Sequence, residues 1–314
     1  MKVVLHYRAS PGFRSSLKDA QLPDMTIEIV DEADSAAFAI AMRDADALLH
    51  VLRPVSAGDI AAAPKLKLIQ KIGVGVNTID LDAAKARGVA VCNMPGTNSQ
   101  AVAEMSLALM LAALRLVSVF DPQTRRGEGW RLDPSDIDRV GEVGGRVVGL
   151  VGYGAVPRRL APALKALGAE IVYTAQSEKA DAPGAFLPLE ELLAQADILS
   201  LHIPSTPQTR GMIGARAIDR MKPGAILINT ARGDLVDETA LVAALKEGRI
   251  AAAGLDVFAR EPVAAGHPLF GLTNVVVMPH IAWLTPETLR RSLWVAMENC
   301  RRVMRNEALL HRVI

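Results

Sequence analysis

Three polar residues in the C-terminal half of the chain could together bind an anion and move a proton. Arg232 ends the run AILINTAR, Glu261 follows GLDVFAR and His280 ends VVVMPH. A guanidinium binds a carboxylate through two parallel hydrogen bonds, and a carboxylate beside an imidazole favours the protonated ring that can deliver a proton. Each residue alone also suits an ordinary strand end or surface loop. The three together predict a catalytic site, because ligands bind at the carboxyl ends of strands in open α/β sheets.

A glycine motif follows the apolar run RVVGLVG. Gly152 permits a tight turn and Gly154 lets the backbone approach a pyrophosphate at a helix N-terminus, with Ala155 and Val156 completing the turn. Pro157 replaces the usual third glycine, and a first helical turn tolerates proline. An isolated G-x-G also occurs in plain strand–helix turns. Its place at the first strand of a six-strand series favours a dinucleotide site.

The next strand-like run leads into Ala175, Gln176 and Ser177, with no carboxylate. An acidic residue at this point would accept hydrogen bonds from the adenosine ribose of NAD. Its absence removes the repulsion of a 2′-phosphate, although no arginine at 175 or 176 is present to bind one. We predict NAD or NADP as the cofactor, with a slight preference for NADP held by Gln176, Ser177 and either Lys179 or Arg158.

Two series of strand-like runs separated by helical stretches must position these residues. Such alternation predicts βαβ units and a parallel sheet in each series. The first series has runs at 2–7, 26–30, 47–52, 67–73 and 89–94, and the second at 146–152, 170–174, 197–203, 225–231, 250–258 and 275–281. The predicted class is α/β with two domains, each a parallel sheet with flanking helices, the larger being a doubly wound Rossmann domain that binds the dinucleotide.

Two long helices set the expected domain boundaries. Ala, Leu, Met and Glu favour a helix over 98–117 with Asn98 or Ser99 as its N-cap, followed by a loop over 121–145. The last helix, from Pro286, follows the second sheet and has no sheet of its own, so we expect it to return to the first domain. The predicted domains are a substrate (catalytic) domain of residues 1–97 plus 285–314 and a dinucleotide-binding domain of residues 98–284.

Composition excludes several classes of function. The 35 Lys and Arg against 34 Asp and Glu are scattered, which argues against nucleic acid as a partner. The longest uncharged apolar stretch, 105–114, is too short to cross a membrane, and the N-terminus lacks a signal-peptide pattern, so we expect a cytoplasmic protein. Cys92 and Cys300 lie far apart without CxxC spacing, which predicts buried thiols and no metal site.

Several sequence blocks, in order along nearly the whole chain, carry a resemblance to a known family. They are GVGVNTIDLDAA (73–84), NMPGTNSQAVAE (93–104), GLVGYG, INTARGDLVDETAL (228–241), AGLDVFAREP (253–262) and PHIAWLTPET (279–288). The chain resembles the D-isomer-specific 2-hydroxyacid dehydrogenases, and its HIAW form resembles the glyoxylate/hydroxypyruvate reductase branch. This resemblance implies a homodimeric oxidoreductase acting on CH–OH groups, which transfers hydride between NAD or NADP and a small 2-keto acid such as hydroxypyruvate or glyoxylate.

The resemblance also implies roles for individual residues. Arg232 would bind the substrate carboxylate and carbonyl oxygen, His280 would be the acid/base, and Glu261 would pair with His280. Further residues expected at the substrate are Arg53, Val74 and Gly75. Those expected at the cofactor are Asp256, which would hold the nicotinamide carboxamide, Thr230 and Pro204. Trp283 either lines the substrate pocket or anchors the helix that follows it.

Other functions on the same scaffold stay open at this point. Formate oxidation is disfavoured because formate dehydrogenases, which the chain also resembles, carry glutamine at the position of Glu261. A phosphoglycerate- or phosphite-type dehydrogenase is an alternative, as is a dinucleotide-sensing regulator, against which the retention of Arg232, Glu261 and His280 argues. For the expected homodimer, the 98–117 helix and the loop carrying Trp130 form the predicted surface.

Overall fold

A computed structural model describes the whole chain, Met1–Ile314. Its strands are β1 (Lys2–His6), β2 (Thr26–Val30), β3 (Ala47–His50), β4 (Leu68–Lys71), β5 (Ala90–Cys92), β6 (Val147–Val151), β7 (Glu170–Thr174), β8 (Ala185–Phe186), β9 (Ile198–Leu201), β10 (Ala225–Asn229), β11 (Ile250–Leu255) and β12 (Val275–Val277). Its helices are α1 (Pro11–Ala20), α2 (Ser35–Met42), α3 (Ala57–Ala61), α4 (Leu81–Ala86), α5 (Ser99–Leu114), α6 (Val117–Arg125), α7 (Pro134–Ile137), α8 (Pro157–Ala166), α9 (Leu189–Gln195), α10 (Ala215–Arg220), α11 (Glu238–Lys246) and α12 (Pro286–Arg305).

Local sequence explains where many helices begin. A side-chain oxygen at the N-cap accepts an amide of the first turn and satisfies a donor that has no partner within the helix. Seven helices begin in this way, on Ser10, Asp34, Ser56, Asp80, Asp133, Asp237 and Thr285.

The smaller unit comprises Met1–Asn98 and Leu284–Ile314. Its five strands are all parallel, in the order β2-β1-β3-β4-β5. The C-terminal helix α12 packs on α1 and β4, where the buried Asn299 amide donates to Gln70 Oε1 over 2.6 Å. This helix therefore belongs to the first sheet although it follows the second in sequence.

The larger unit, Ser99–Trp283, contains seven parallel strands in the order β12-β11-β10-β9-β6-β7-β8. The first strand of the series, β6, lies inside the sheet, and the chain winds outward from it on both sides, which is the doubly wound arrangement. The predicted α/β class and the doubly wound sheet are confirmed. Relative to the predicted domain limits, Asn98 and Leu284 each fall in the smaller unit, a difference of one residue at each boundary.

Two local expectations were wrong. Residues 121–125, predicted as part of a loop, continue helix α6, because the long helix ends at Leu114 and the chain turns at Leu116, whose φ is +51°. The two-residue strand β8 was missed, since Ala185 and Phe186 give no alternation to detect.

None of the helices is by itself long and apolar enough to span a membrane. Helices α5 and α6 reach the required length and hydropathy only when they are taken together, and they are bent by 66° relative to each other.

Two buried histidines of the smaller unit predict how its stability depends on pH. Burial, assisted by the charge of Arg53, lowers the pKa of His6 to about 4, and burial, assisted by Lys71, lowers the pKa of His50 to about 3. An unfolded chain takes up these protons near pH 6.5 while the folded chain does not, so the free energy of unfolding should fall as the pH drops from 6.5 towards 4. Each ring contributes at most about 1.4 kcal/mol per pH unit.

Urea unfolding at a series of pH values measures the slope of the free energy of unfolding against pH. His6→Phe keeps the stack on Phe38, whose ring centroid lies 3.8 Å away, and removes one titrating group, so the slope should decrease. If the free energy of unfolding changes equally with pH in wild type and His6→Phe, His6 does not contribute to this pH dependence.

Candidate active site

The turn after β10 positions Arg232. The Asn229 side chain donates to the Arg232 carbonyl over 2.8 Å and accepts the Ala231 amide over 3.0 Å, which fixes the backbone of the turn. Burial lowers the pKa of the Arg232 guanidinium, while the nearby charges of Glu261 and Asp234 act in the opposite direction. An arginine side chain keeps its charge in proteins at neutral pH, so this turn presents a fixed cation beside Glu261.

Glu261 and His280 form a close pair. His280 Nδ1 lies 2.6 Å from Glu261 Oε2, and the Phe258 amide donates to Glu261 Oε1 over 2.9 Å. Burial alone would raise the pKa of Glu261, but the hydrogen bond and charge of His280, the Phe258 amide and the charge of Arg232 together hold it below its ordinary value. Because Nδ1 is bound to this carboxylate, Nε2 is the ring nitrogen available for proton exchange.

His280 adopts a left-handed backbone conformation, with φ of +56°. Such a conformation is rare outside glycine and persists only where surrounding contacts enforce it. Asp256, the residue after β11, supplies those contacts: its backbone carbonyl accepts the His280 amide, and its carboxylate accepts the amides of Ile281 and Ala282 over 2.8 and 2.9 Å. The Trp283 indole then donates to the His280 carbonyl over 3.1 Å. The imidazole is therefore presented by a rigid turn.

The turn between β6 and α8 fits the phosphates of a dinucleotide. Gly152 has φ of +98°, and a Cβ there would lie 2.5 Å from the His202 carbonyl oxygen, whereas a Cβ at Gly154 would meet nothing within 4 Å. Helix α8 begins at Pro157 and no side chain caps it at Val156. An open backbone approach and a helix N-terminus with no side-chain cap are what a pyrophosphate needs.

The loop after β7 contains a carboxylate that the sequence analysis missed. Asp181 binds the Arg158 guanidinium through two hydrogen bonds of 2.6 and 3.0 Å, and Arg158 Nη1 donates to the Tyr153 carbonyl over 2.7 Å. In the same loop the Lys179 ammonium donates to Ser177 Oγ over 2.9 Å. Arg158, predicted to bind a 2′-phosphate, is thus already paired beside the glycine turn.

The remaining predicted residues fall into two groups. Pro204 follows β9, and Thr230 follows β10 with its hydroxyl 2.8 Å from that of Ser106, so both lie at the same sheet edge as Arg232. Ala175 and Gln176 follow β7 at that edge.

The second group lies in the smaller unit. There the Arg53 guanidinium donates to the Glu32 carbonyl and Ser35 Oγ, and Asn93 Nδ2 donates to the carbonyl of Val74, beside Gly75, over 3.0 Å. That Arg53, Val74 and Gly75 contact the substrate stays a prediction. No group of three metal-ligating side chains is present.

A sequence model described as the D-isomer specific 2-hydroxyacid dehydrogenase, NAD binding domain, matches residues 107–282. The chain is also 42% identical over 266 residues to the glyoxylate reductase of Aeropyrum pernix, covering 82% of this chain and 79% of that protein. It belongs to the D-isomer-specific 2-hydroxyacid dehydrogenase family. The family predicted from the sequence blocks is therefore confirmed.

Two further similar proteins are a phosphoglycerate dehydrogenase and a glyoxylate/hydroxypyruvate reductase. The D-3-phosphoglycerate dehydrogenase of Mycobacterium leprae is 41% identical over 283 residues, which are 88% of this chain; the chain spans about half the length of that relative, 53%. The structure of the NADPH-dependent glyoxylate/hydroxypyruvate reductase of Sinorhizobium meliloti, in complex with NADP and malonate, has a TM-score of 0.85 and 28% identity, over 99% of this chain and 96% of that one.

Proposed function

We propose that this protein reduces small 2-keto acids, with glyoxylate and hydroxypyruvate as the substrates and NADH or NADPH as the reductant. The observation that supports it most is the 2.6 Å pairing of Glu261 with His280 next to the charge of Arg232. Reduction of a keto acid requires a cation that binds the carboxylate and an acid that protonates the carbonyl oxygen, and these residues can provide both. The similarity to glyoxylate reductases supports the substrate class.

The roles of the residues follow from their charges and bonds. Arg232 binds the substrate carboxylate with bidentate geometry and stabilises the negative charge that develops on the carbonyl oxygen. Glu261 accepts from His280 Nδ1, which orients the ring so that Nε2 donates a proton to that oxygen. A dinucleotide held at the Gly152–Gly154 turn would supply the hydride that adds to the carbonyl carbon. In the oxidative direction His280 Nε2 removes the hydroxyl proton.

A spectrophotometric comparison tests this proposal. Consumption of NADH and of NADPH at 340 nm is followed with glyoxylate, hydroxypyruvate and pyruvate, and turnover with at least one of them is the expected result. Oxidation of 3-phosphoglycerate forms a further arm, because relatives with that activity are about as similar in sequence. Absence of turnover with all four acids, together with measured cofactor binding, would instead support the dinucleotide-sensing regulator.

The ion pair between Arg158 and Asp181 predicts how the cofactor preference can be changed. Asp181→Asn should release the Arg158 guanidinium and remove a negative charge, so NADPH affinity should rise about 10-fold, the effect of one charge-assisted hydrogen bond. NADH affinity should change little. Titration of the protein's tryptophan fluorescence with each cofactor measures both constants.

A matched variant separates a local effect from a general change in surface charge. Asp136→Asn breaks the ion pair between Asp136 on α7 and Arg139, and should leave both affinities unchanged. The double variant Asp181→Asn/Arg158→Ala should lose the gain. If the NADPH affinity of Asp181→Asn equals that of wild type, Arg158 does not contact the 2′-phosphate.

We also propose a homodimer in the cytoplasm. Trp130 is 90% exposed, and Leu111 on α5 and Val117 on α6 add apolar surface to the same segment of chain. Exposed apolar patches of this kind are typical of protein interfaces. Two buried free thiols, Cys92 and Cys300, suit a reducing compartment. Light scattering at several concentrations that gives the monomer mass throughout would refute the dimer.

A further inference from the structure

A second carboxylate–imidazole pair lies close to the first. Glu238, the first residue of α11, places Oε2 3.3 Å from His267 Nε2, and only about one fifth of each side chain is exposed. The Leu269 amide donates to His267 Nδ1 over 3.4 Å. The ring N–H is therefore on Nε2, the nitrogen that faces the carboxylate. The other Glu238 oxygen, Oε1, accepts the amide of Ala259 over 2.7 Å.

This second pair meets the catalytic pair at consecutive backbone amides. The Phe258 amide donates to Glu261, and the next amide, that of Ala259, donates to Glu238. The ring of Phe258 is buried and lies edge-on to the His267 ring at 6.0 Å. The turn that presents Glu261 is therefore bound at its backbone by Glu238 and at its aromatic side chain by His267.

We propose that Glu238 and His267 are positioning residues that hold the 258–261 turn so that the Glu261 carboxylate faces His280; their link to turnover rests on the proposed function. A carboxylate in a first helical turn is stabilised by the helix dipole without any other partner. Glu238 instead uses both oxygens away from its own helix, one on Ala259 and one on His267. Loss of these bonds frees the backbone that sets the position of the catalytic carboxylate.

Kinetics of three variants test the positioning role. Glu238→Ala removes the acceptor for Ala259, so kcat should fall at least 10-fold with KM little changed, because the catalytic pair is displaced while substrate binding by Arg232 remains. Glu238→Gln retains an oxygen acceptor and should recover most of the lost kcat. His267→Phe keeps an aromatic ring beside Phe258 but removes the bond to Glu238, so it should be intermediate.

The neighbouring Asp237 provides a matched control. Asp237 caps α11: its carboxylate accepts the amides of Thr239 and Ala240, within its own helix. Asp237→Ala should therefore destabilise the helix start, as thermal unfolding would show, without the fall in kcat. Equal kcat in Glu238→Ala and Asp237→Ala would overturn the proposal.

A spectroscopic measurement decides the same question without turnover. In ¹⁵N-labelled protein, the proton between His280 Nδ1 and Glu261 should give a downfield resonance, since the two atoms are 2.6 Å apart. That resonance should weaken or move upfield in Glu238→Ala and be restored in Glu238→Gln, and an unchanged resonance in Glu238→Ala would refute the positioning role. If wild type turns over no 2-keto acid, the proposed function fails while this result still decides the role of Glu238.

Discussion

Replacing His280 by alanine is expected to lower kcat for glyoxylate reduction by about 10²- to 10⁴-fold, the usual contribution of a positioned general acid. The imidazole bound to Glu261 has no substitute among the residues around it: Arg232 cannot give up a proton at neutral pH, and Glu261 is held in its charged form. KM should change little because the proposed function assigns binding of the substrate carboxylate to Arg232, which this variant retains. Steady-state kinetics at saturating cofactor measure both constants.

Backbone strain at this position calls for two additional variants. Asparagine tolerates the left-handed conformation well, so His280→Asn should keep the turn and still lose the proton donor. His311 has nearly the same backbone, with φ of +50°, but lies in the C-terminal segment of the smaller unit, so His311→Ala should retain full activity. A kcat in His280→Asn above one tenth of the wild-type value would remove His280 from the role of acid.

Much of the fold follows from the sequence because buried parallel strands are nearly continuous apolar runs. The segment AILIN, for example, becomes β10 with all five residues buried, and EIVYT becomes β7 over the predicted residues. Chain order alone also places Arg232 and His280 at strand ends, since their runs stop at those positions. The family blocks add the pairing of Glu261 with His280, which the 2.6 Å contact matches.

Contacts made by side chains far apart in sequence could not be predicted in this way. Arg158 and Asp181 are 23 residues apart, and the loop after β7 that contains Asp181 has no periodicity to indicate where its carboxylate points. Glu238 looks like an ordinary acidic residue at a helix start, and its contact with Ala259 depends on how β10 and β11 lie side by side. The sequence predicts which residue types lie at the carboxyl-end edge of the sheet, whereas packing determines which of these side chains contact each other.

Gly233 shows how packing at this edge constrains the site, and Gly233→Ala should lower kcat/KM about 100-fold. A Cβ at this position would lie 1.8 Å from the carbonyl carbon of Phe258 and 2.4 Å from the Ala259 nitrogen. These are backbone atoms, so the clash can be relieved only by moving the turn that carries Arg232 or the turn that carries Glu261. A shift of about 1 Å at reacting groups costs about that factor in rate, and overpacking of this kind typically lowers stability by about 1–3 kcal/mol.

Activity with glyoxylate and urea unfolding measure the two effects of Gly233→Ala. Cofactor binding should persist, because the glycine turn at 152–156 belongs to a different strand, and a folded protein that binds NADH yet turns over slowly separates misalignment from unfolding. Gly271→Ala, in the same unit, adds a Cβ with nothing within 4 Å and serves as the matched control. Wild-type kcat/KM and stability in Gly233→Ala would show that the two turns are not in direct backbone contact, and the arrangement of Arg232 beside Glu261 would then have to be revised.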